Sequence, residues 1–239
     1  MKNFIPILMY HSIQSEPKKS KLRGLSVPTY LFKIQLFILK LLGYQGLSMS
    51  GLMPYLKGEK TGKVFGITFD DGYLNNYQNA LRILLRFNYT ATCYIVSNNI
   101  GGINHWDLEK GVTPKRMMNE LEIKNWIKKG MEIGSHSLSH VHLTSCNSKA
   151  LYQEVMTSRS ILEEKFNVRV DHFCYPYGDT SKEIVNLVEN AGYKTAVTVV
   201  RGRAKINSNF FELPRVLMNH RTYPQNLFLK FFTNYESKR

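Results

Sequence analysis

Two kinds of apolar pattern alternate along this chain, and their order predicts its architecture. Short β-branched and aromatic runs lie at residues 5–10, 64–69, 90–96, 131–135, 170–175, 194–199 and 212–217. Runs of that length and composition suit buried strands. Between them, apolar residues three and four positions apart mark helices near residues 28–42, 76–87, 120–129, 149–166 and 182–191. Gly43, Gly130 and Gly192 each fall just beyond a periodic stretch, where a left-handed residue closes a helix. Strands alternating with helices predict an α/β fold, here a single barrel of about seven strands. No linker, repeat or low-complexity segment interrupts residues 1–239, so one domain is expected. The stretch 97–115, with Gly101-Gly102 and His105-Trp106-Asp107, is irregular. It reads either as a lid that contacts substrate or as a long connection with Trp106 tucked beneath it.

The candidate chemistry sits where two of these strands end. Thr68-Phe69-Asp70-Asp71-Gly72 closes the second run. Two adjacent carboxylates on a continuing strand would face opposite ways, but a turn beginning at Asp71 brings both toward one pocket, one as ligand and one as base. His136-Ser137-Leu138-Ser139-His140 follows the fourth run, and its i, i+4 spacing places both imidazoles on one face if the segment turns helical. Asp71, His136 and His140 then form a three-ligand set for one divalent metal, with zinc the default and cobalt or nickel also suited. This is not the zinc-protease helix motif, because Ser137 stands where that motif carries its Glu; the base falls to Asp70. His142, two residues further on, reads as a structural neighbour of the pair.

Charge and composition narrow the partners. The chain carries 32 basic and 18 acidic residues, a formal net charge of +14, which points to an anionic substrate or environment. The basic residues are scattered along the sequence and no nucleic-acid module is recognisable, so specific nucleic-acid binding is not expected. An anionic glycan, a lipid-linked carrier or an anionic membrane surface fits better. Cys93, Cys146 and Cys174 are an odd number without paired spacing, which argues against a disulfide framework. The first eleven residues turn polar too quickly for a secretory signal, and the apolar run 31–42 is broken by Lys33, Gln35 and Lys40. These features predict a cytoplasmic protein, able to lie at the inner membrane surface, without a transmembrane segment. No Gly-x-Gly-x-x-Gly or phosphate-loop pattern follows any strand, so a nucleotide cofactor is not indicated.

The Thr-Phe-Asp-Asp-Gly and His-Ser-x-x-His elements resemble the first two motifs of the polysaccharide deacetylase family with the NodB-type domain. Phe173-Cys174-Tyr175-Pro176-Tyr177-Gly178 resembles its third motif, whose Pro-Tyr-Gly turn lines the substrate groove. The likeness runs from about Ile7 to Val216 in motif order and spacing. It implies a distorted (β/α) barrel and a metal-dependent N-deacetylase acting on an N-acetylhexosamine, in a polysaccharide or in a lipid-linked or lipopolysaccharide glycan. It further implies that Asp70 takes a proton as water attacks the acetamide carbonyl, with the backbone N–H of Tyr177 at the oxyanion. A deformylase or another amide hydrolase on an amidated sugar would use the same chemistry in a different pocket. A non-catalytic glycan-binding relative is disfavoured by the intact Asp70, Asp71, His136 and His140 set.

Two departures from the common family pattern stand out. The late Leu-x-x-His-type motif that ordinarily supplies the acid is replaced at the start of the chain by Ile7-Leu8-Met9-Tyr10-His11. That element resembles the rearranged branch of poly-N-acetylglucosamine deacetylases, which implies His11 as the acid. His220, in Val216-Leu217-Met218-Asn219-His220, is the rival. The third motif also lacks the Arg that orients the base. Arg215, in Leu213-Pro214-Arg215-Val216, resembles the Pro-Arg element of the same branch and is expected beside Asp70; a surface strand-end role is the alternative.

Overall fold

The computed structural model describes residues 4–110 and 112–238. Ten strands are present among them: β1 (Phe4–Ile5), β2 (Ile7–Tyr10), β3 (Gln45–Leu47), β4 (Val64–Phe69), β5 (Thr92–Ile95), β6 (Glu132–Ser135), β7 (His172–Cys174), β8 (Thr195–Arg201), β9 (Ala204–Lys205) and β10 (Leu213–Leu217). Seven of them close a parallel barrel in the order β2-β10-β8-β7-β6-β5-β4, with β4 pairing back onto β2 and β3 added outside β4. β1 and β9 form a separate antiparallel pair. All seven barrel strands coincide with the runs read from the sequence.

Helices α1 (Thr29–Leu41), α2 (Met49–Leu56), α3 (Leu81–Phe87), α4 (Glu120–Lys128), α5 (Ser148–Tyr152), α6 (Ser158–Phe166), α7 (Lys182–Asn190) and α8 (Pro224–Phe232) surround it. Gly43, Gly130 and Gly192 have φ of 78°, 82° and 83°, as their positions beyond α1, α4 and α7 require. α4 starts with reciprocal bonds between Asn119 and Glu122, which satisfy two of its free N–H groups. α5 and α6 are one continuous helix interrupted by a wide turn at Gln153–Thr157. The sequence reading did not anticipate α2, which contains Pro54, or α8.

Strand periodicity decides which side chains enter the barrel. On β4, Phe65, Ile67 and Phe69 pack outward in the large core beneath the helices, and Val64 packs inward with Ile7, Tyr94, Cys174, Val197 and Leu213. Continuing that alternation, the inward series on β4 is Val64, Gly66, Thr68 and then Asp70. The same count takes β2 from Ile7 through Met9 to His11, β6 from Gly134 to His136, and β10 from Leu213 to Arg215. His11, Asp70 and His136 are therefore the inward positions just past the ends of their strands, at the rim where barrels of this kind keep their sites, and Arg215 lies one inward position below Leu217 on β10. Gly134 is small for a reason: a Cβ there would lie 2.5 Å from the Tyr94 ring and 2.8 Å from the His172 carbonyl.

Candidate active site

Asp70 is buried at the end of β4, and its carboxylate meets the guanidinium of Arg215 in two parallel bonds of 2.7 Å. Arg215 is fully buried and is itself fixed by the Thr198 carbonyl (2.9 Å), Thr68 Oγ1 (3.1 Å) and Cys174 Sγ (3.3 Å). Burial pushes the Asp70 carboxyl up, but Arg215 and then His11 outweigh it and hold the pKa below the ordinary carboxylate value. Asp70 is thus an ionised, oriented carboxylate in a water-poor setting.

The chain turns at Asp71, whose φ is 72°, and Gly72 follows at 79°. This is the turn expected to bring both carboxylates into one pocket. Asp71 Oδ1 lies 3.3 Å from Nε2 of His136 and 3.3 Å from Nε2 of His140, all three residues being buried. Burial raises the Asp71 pKa, and the hydrogen bonds from His136 and His140 more than reverse this, leaving it well below the usual carboxylate range.

The segment carrying the two histidines is a loop, not the helical turn that the i, i+4 spacing suggested. Ser137 and His140 both adopt left-handed backbone, with φ of 63° and 61°. His136 Nδ1 donates to the Cys174 carbonyl at 2.8 Å, which turns Nε2 toward Asp71. The His140 ring is held by stacking on Trp106 at 4.3 Å and by an edge contact with Tyr177 at 4.7 Å. Glu154, on the wide turn between α5 and α6, anchors the loop from below. Its carboxylate accepts the backbone N–H groups of Leu138 and Ser139, each at 3.0 Å, and the Ser139 hydroxyl.

These three ligands fit a metal ion. Ligands at about 2.0–2.2 Å from a tetrahedral ion lie roughly 3.3–3.6 Å from each other, the spacing already set between Asp71 and both imidazoles. A second group, Asp70, His136 and Cys174, also brings ligand atoms within 4.8 Å of one another. Arg215 binds both its carboxylate and its sulfur, so a cation already occupies that position.

The remaining sequence candidates fall on two surfaces. His11, Asp70, Asp71, His136, His140 and Tyr177 line one open cleft of roughly 380 Å³, with Trp106 and Asp107 from the stretch 97–115 on its wall. Trp106 therefore faces the site. His11 Nε2 is 3.7 Å from Asp70 Oδ2, and its carbonyl is pinned by Asn76 Nδ2 at 2.8 Å. Tyr177 stands in left-handed backbone (φ 58°) after buried Pro176, with His142 stacked on its ring at 3.9 Å. His142 is tied to Asp179 at 2.5 Å and takes no part in the ligand cluster. Gly178 follows with φ of 79°, where a Cβ would strike the Val199 side chain. His220 lies outside the cleft, its Nδ1 bonded to the Arg23 carbonyl at 2.8 Å beside Tyr223. Burial pushes its pKa below the ordinary histidine value.

Sequence reasoning missed Glu154, Asn76 and the partners Thr68 and Cys174. Glu154 carried a legible signal, an acid set between Leu151 and Val155 on the apolar face of its helix. Seven non-glycine residues among those described have positive φ, and Asp71, Ser137, His140 and Tyr177 are four of them; the other three are all Asn. Left-handed backbone in such residues is costly and concentrates where a site demands it.

The sequence profile described as polysaccharide deacetylase matches residues 57–196. The chain belongs to the polysaccharide deacetylase family. This deacetylase is 29% identical over 214 residues to YxkH of Bacillus subtilis (strain 168), itself classed as a polysaccharide deacetylase, across 89% of this chain and 70% of that protein. It is 24% identical over 227 residues to the poly-β-1,6-N-acetyl-D-glucosamine N-deacetylase of Staphylococcus aureus (strain MSSA476), across 91% of this chain and 74% of that one. Its structure matches the Streptococcus pyogenes deacetylase PplD in complex with acetate with a TM-score of 0.83 and 25% identity, over 97% of this chain and 99% of the other. The protein is a hydrolase, a polysaccharide N-deacetylase of carbohydrate esterase family 4, and the family implies an acetylated glycan as its substrate. Its fold is the closed seven-stranded NodB-like barrel.

Proposed function

We propose that this deacetylase uses one divalent ion, zinc by default, to hydrolyse the acetamide of an N-acetylhexosamine within a glycan, releasing acetate and a free sugar amine. The observation that carries the reading is the juxtaposition of two buried carboxylates with different partners. Asp71 meets two imidazoles, and Asp70 meets a guanidinium. One is set up to hold a cation and the other to stay ionised and take a proton.

Asp71, His136 and His140 are the residues that would hold the ion, which when bound supplies Lewis acidity, acidifying water and polarising a carbonyl. Asp70 receives the proton as water adds to the acetamide carbon. Arg215 keeps both carboxylate oxygens in one plane, so the proton arrives at a fixed position. The Tyr177 backbone N–H is assigned to the developing oxyanion, with Pro176 setting its approach. The departing nitrogen leaves only if protonated, and His11, on the same rim, is assigned that donation. Tyr177 and Trp106 supply flat apolar walls suited to a sugar ring.

The name of the staphylococcal relative supports a poly-N-acetylglucosamine-like substrate, and the +14 charge supports a glycan carrying anionic groups. The test is a panel of N-acetylated and N-formylated glycans, free and lipid-linked, assayed for released acid. Acetate together with new primary amine on a hexosamine polymer is the expected result. Formate release without acetate release would instead mark a deformylase, and sugar binding without release of either acid would mark a non-catalytic relative.

A further inference from the structure

The basic residues that look scattered along the sequence are segregated around the barrel. No Asp or Glu occurs between Glu16 and Glu59, between Asp71 and Asp107, or between Glu212 and Glu236. Those stretches contain α1, α3 and α8, and α1 packs against both of the others. α4 through α7, by contrast, carry Glu120, Glu122, Glu154, Glu163, Glu164, Glu183 and Glu189. One side of the molecule is thus free of acids along three adjacent helices.

The same side is apolar. α1 buries Leu31, Phe32, Gln35, Leu36 and Leu39 against the barrel. Its opposite face presents Tyr30, Ile34, Phe37 and Leu41, which are 57%, 40%, 49% and 69% exposed. Spacings of four, three and four residues place them in one stripe along the helix. Leu85 on α3 and Phe228 on α8 extend the exposed apolar surface to either side. Tyr30 and Tyr223 line one small hollow, and the Phe37 and Phe87 rings lie 6.4 Å apart, so the three helices present a continuous surface. Cations flank it: Lys33 and Lys40 on α1, Arg82 and Arg86 on α3. Between α1 and α3 lies a depression of about 510 Å³ lined by Thr29, Tyr30, Lys33, Arg82, Ile83 and Arg86.

We infer that the α8–α1–α3 face docks on an anionic lipid surface, with Phe37 and Leu41 entering the acyl boundary and Lys33, Arg82 and Arg86 receiving headgroup phosphates. Aromatic and aliphatic side chains along one stripe, bordered by Lys and Arg with no acid among them, are what a helix lying in a membrane interface requires. Among the described residues no helix is long and apolar enough to cross a membrane. The charge is what favours lipid over a second copy of this chain: two such faces brought together would oppose cation to cation. The inference does not depend on which glycan the cleft accepts.

Co-sedimentation of the full chain with vesicles of phosphatidylcholine alone, and with about one third phosphatidylglycerol, tests it. Binding is expected to the anionic vesicles only and to weaken as salt rises. Phe37→Glu combined with Leu41→Glu, and separately Arg82→Glu combined with Arg86→Glu, should each lower the affinity by about tenfold or more. Leu121→Glu on α4 should leave it unchanged, and all variants should deacetylate a soluble glycan as the parent does. Equal binding to both vesicle types, or retention of affinity in both face variants, overturns the inference. So does a salt-stable dimer in sedimentation velocity that the Phe37→Glu, Leu41→Glu protein abolishes, since the face would then be covered by another copy.

Discussion

Arg215 and Asp70 are joined by two 2.7 Å hydrogen bonds inside the barrel, with Arg215 fully buried and Asp70 nearly buried at the wall of the cleft. Because Asp70 lines the cleft and Arg215 lies behind it, the two halves of the pair have separable effects. Asp70→Asn keeps the shape but cannot take a proton, so turnover should fall by about 10²–10⁴ with metal content unchanged. Arg215→Met leaves a buried carboxylate without its counter-charge and should destabilise the fold by about 3–5 kcal/mol in urea unfolding at neutral pH. Wild-type activity in the Asp70→Asn protein would move the base to another residue.

His11 and His220 make opposite predictions as donors of the final proton. His11 lines the cleft 3.7 Å from Asp70, whereas His220 is bonded to the Arg23 carbonyl outside it. Loss of an acid should damage amide cleavage far more than cleavage of an activated ester, whose leaving group needs no proton. His11→Ala should show that selective loss and His220→Ala should not. The reverse pattern would return the role to the late histidine.

Glu154 fixes the backbone between His136 and His140 through Leu138 and Ser139. Glu154→Gln retains one acceptor oxygen and loses the charge that strengthens these bonds. Metal affinity, read by competition with a chromogenic chelator, should fall by about 10–100-fold, as is usual when a ligand's supporting shell is loosened. An unchanged affinity would show that the loop holds its shape unaided.

At the opposite end of the barrel, Glu132 accepts bonds from the Ser50 hydroxyl and from Thr92 Oγ1 at 2.5 Å, and lies 3.5 Å from His172. Burial alone would raise its pKa, but His172 and the two hydroxyls lower it from 4.5 to about 2. A carboxylate depressed on folding contributes stability above its unfolded pKa and loses it as pH falls through the folded value. The contribution, on the order of 3 kcal/mol, should be complete above about pH 5 and vanish progressively between about pH 4.5 and pH 2. Unfolding free energies of the parent and Glu132→Gln should therefore differ at pH 7 and converge toward pH 2. A constant gap across that range would exclude the ionisation as its source.

Much of this was legible in the sequence because the barrel is written in local patterns. The runs at 64–69 and 131–135 are buried on both faces, so composition alone marked them as strands, and the motifs at their ends named Asp70, Asp71, His136 and His140. β3 escaped notice because it has three residues, one of them Gly46, and α2 because Pro54 disguises its periodicity. The loop at 136–140 misled for a different reason. Two left-handed residues bring the imidazoles together there, and Ser137 and His140 carry no composition signal for that conformation. Arg215 was found by resemblance, but Thr68 and Cys174 as its partners depend on three strands distant in sequence, which no local pattern reports. The acid-free side is not legible along the chain, because α1, α3 and α8 come together only when the barrel closes.

Catalysis is expected to depend on one divalent ion held by Asp71, His136 and His140. The most direct measurement is acetate release by chelator-stripped protein titrated with zinc, run beside His136→Ala and His140→Ala with folding checked by circular dichroism. Activity should be absent after stripping, should rise linearly and level off at one ion per chain, and should not be restored in either variant. Full acetate release from stripped protein, or wild-type metal content and turnover in a folded His140→Ala protein, would show that these residues do not hold a catalytic ion.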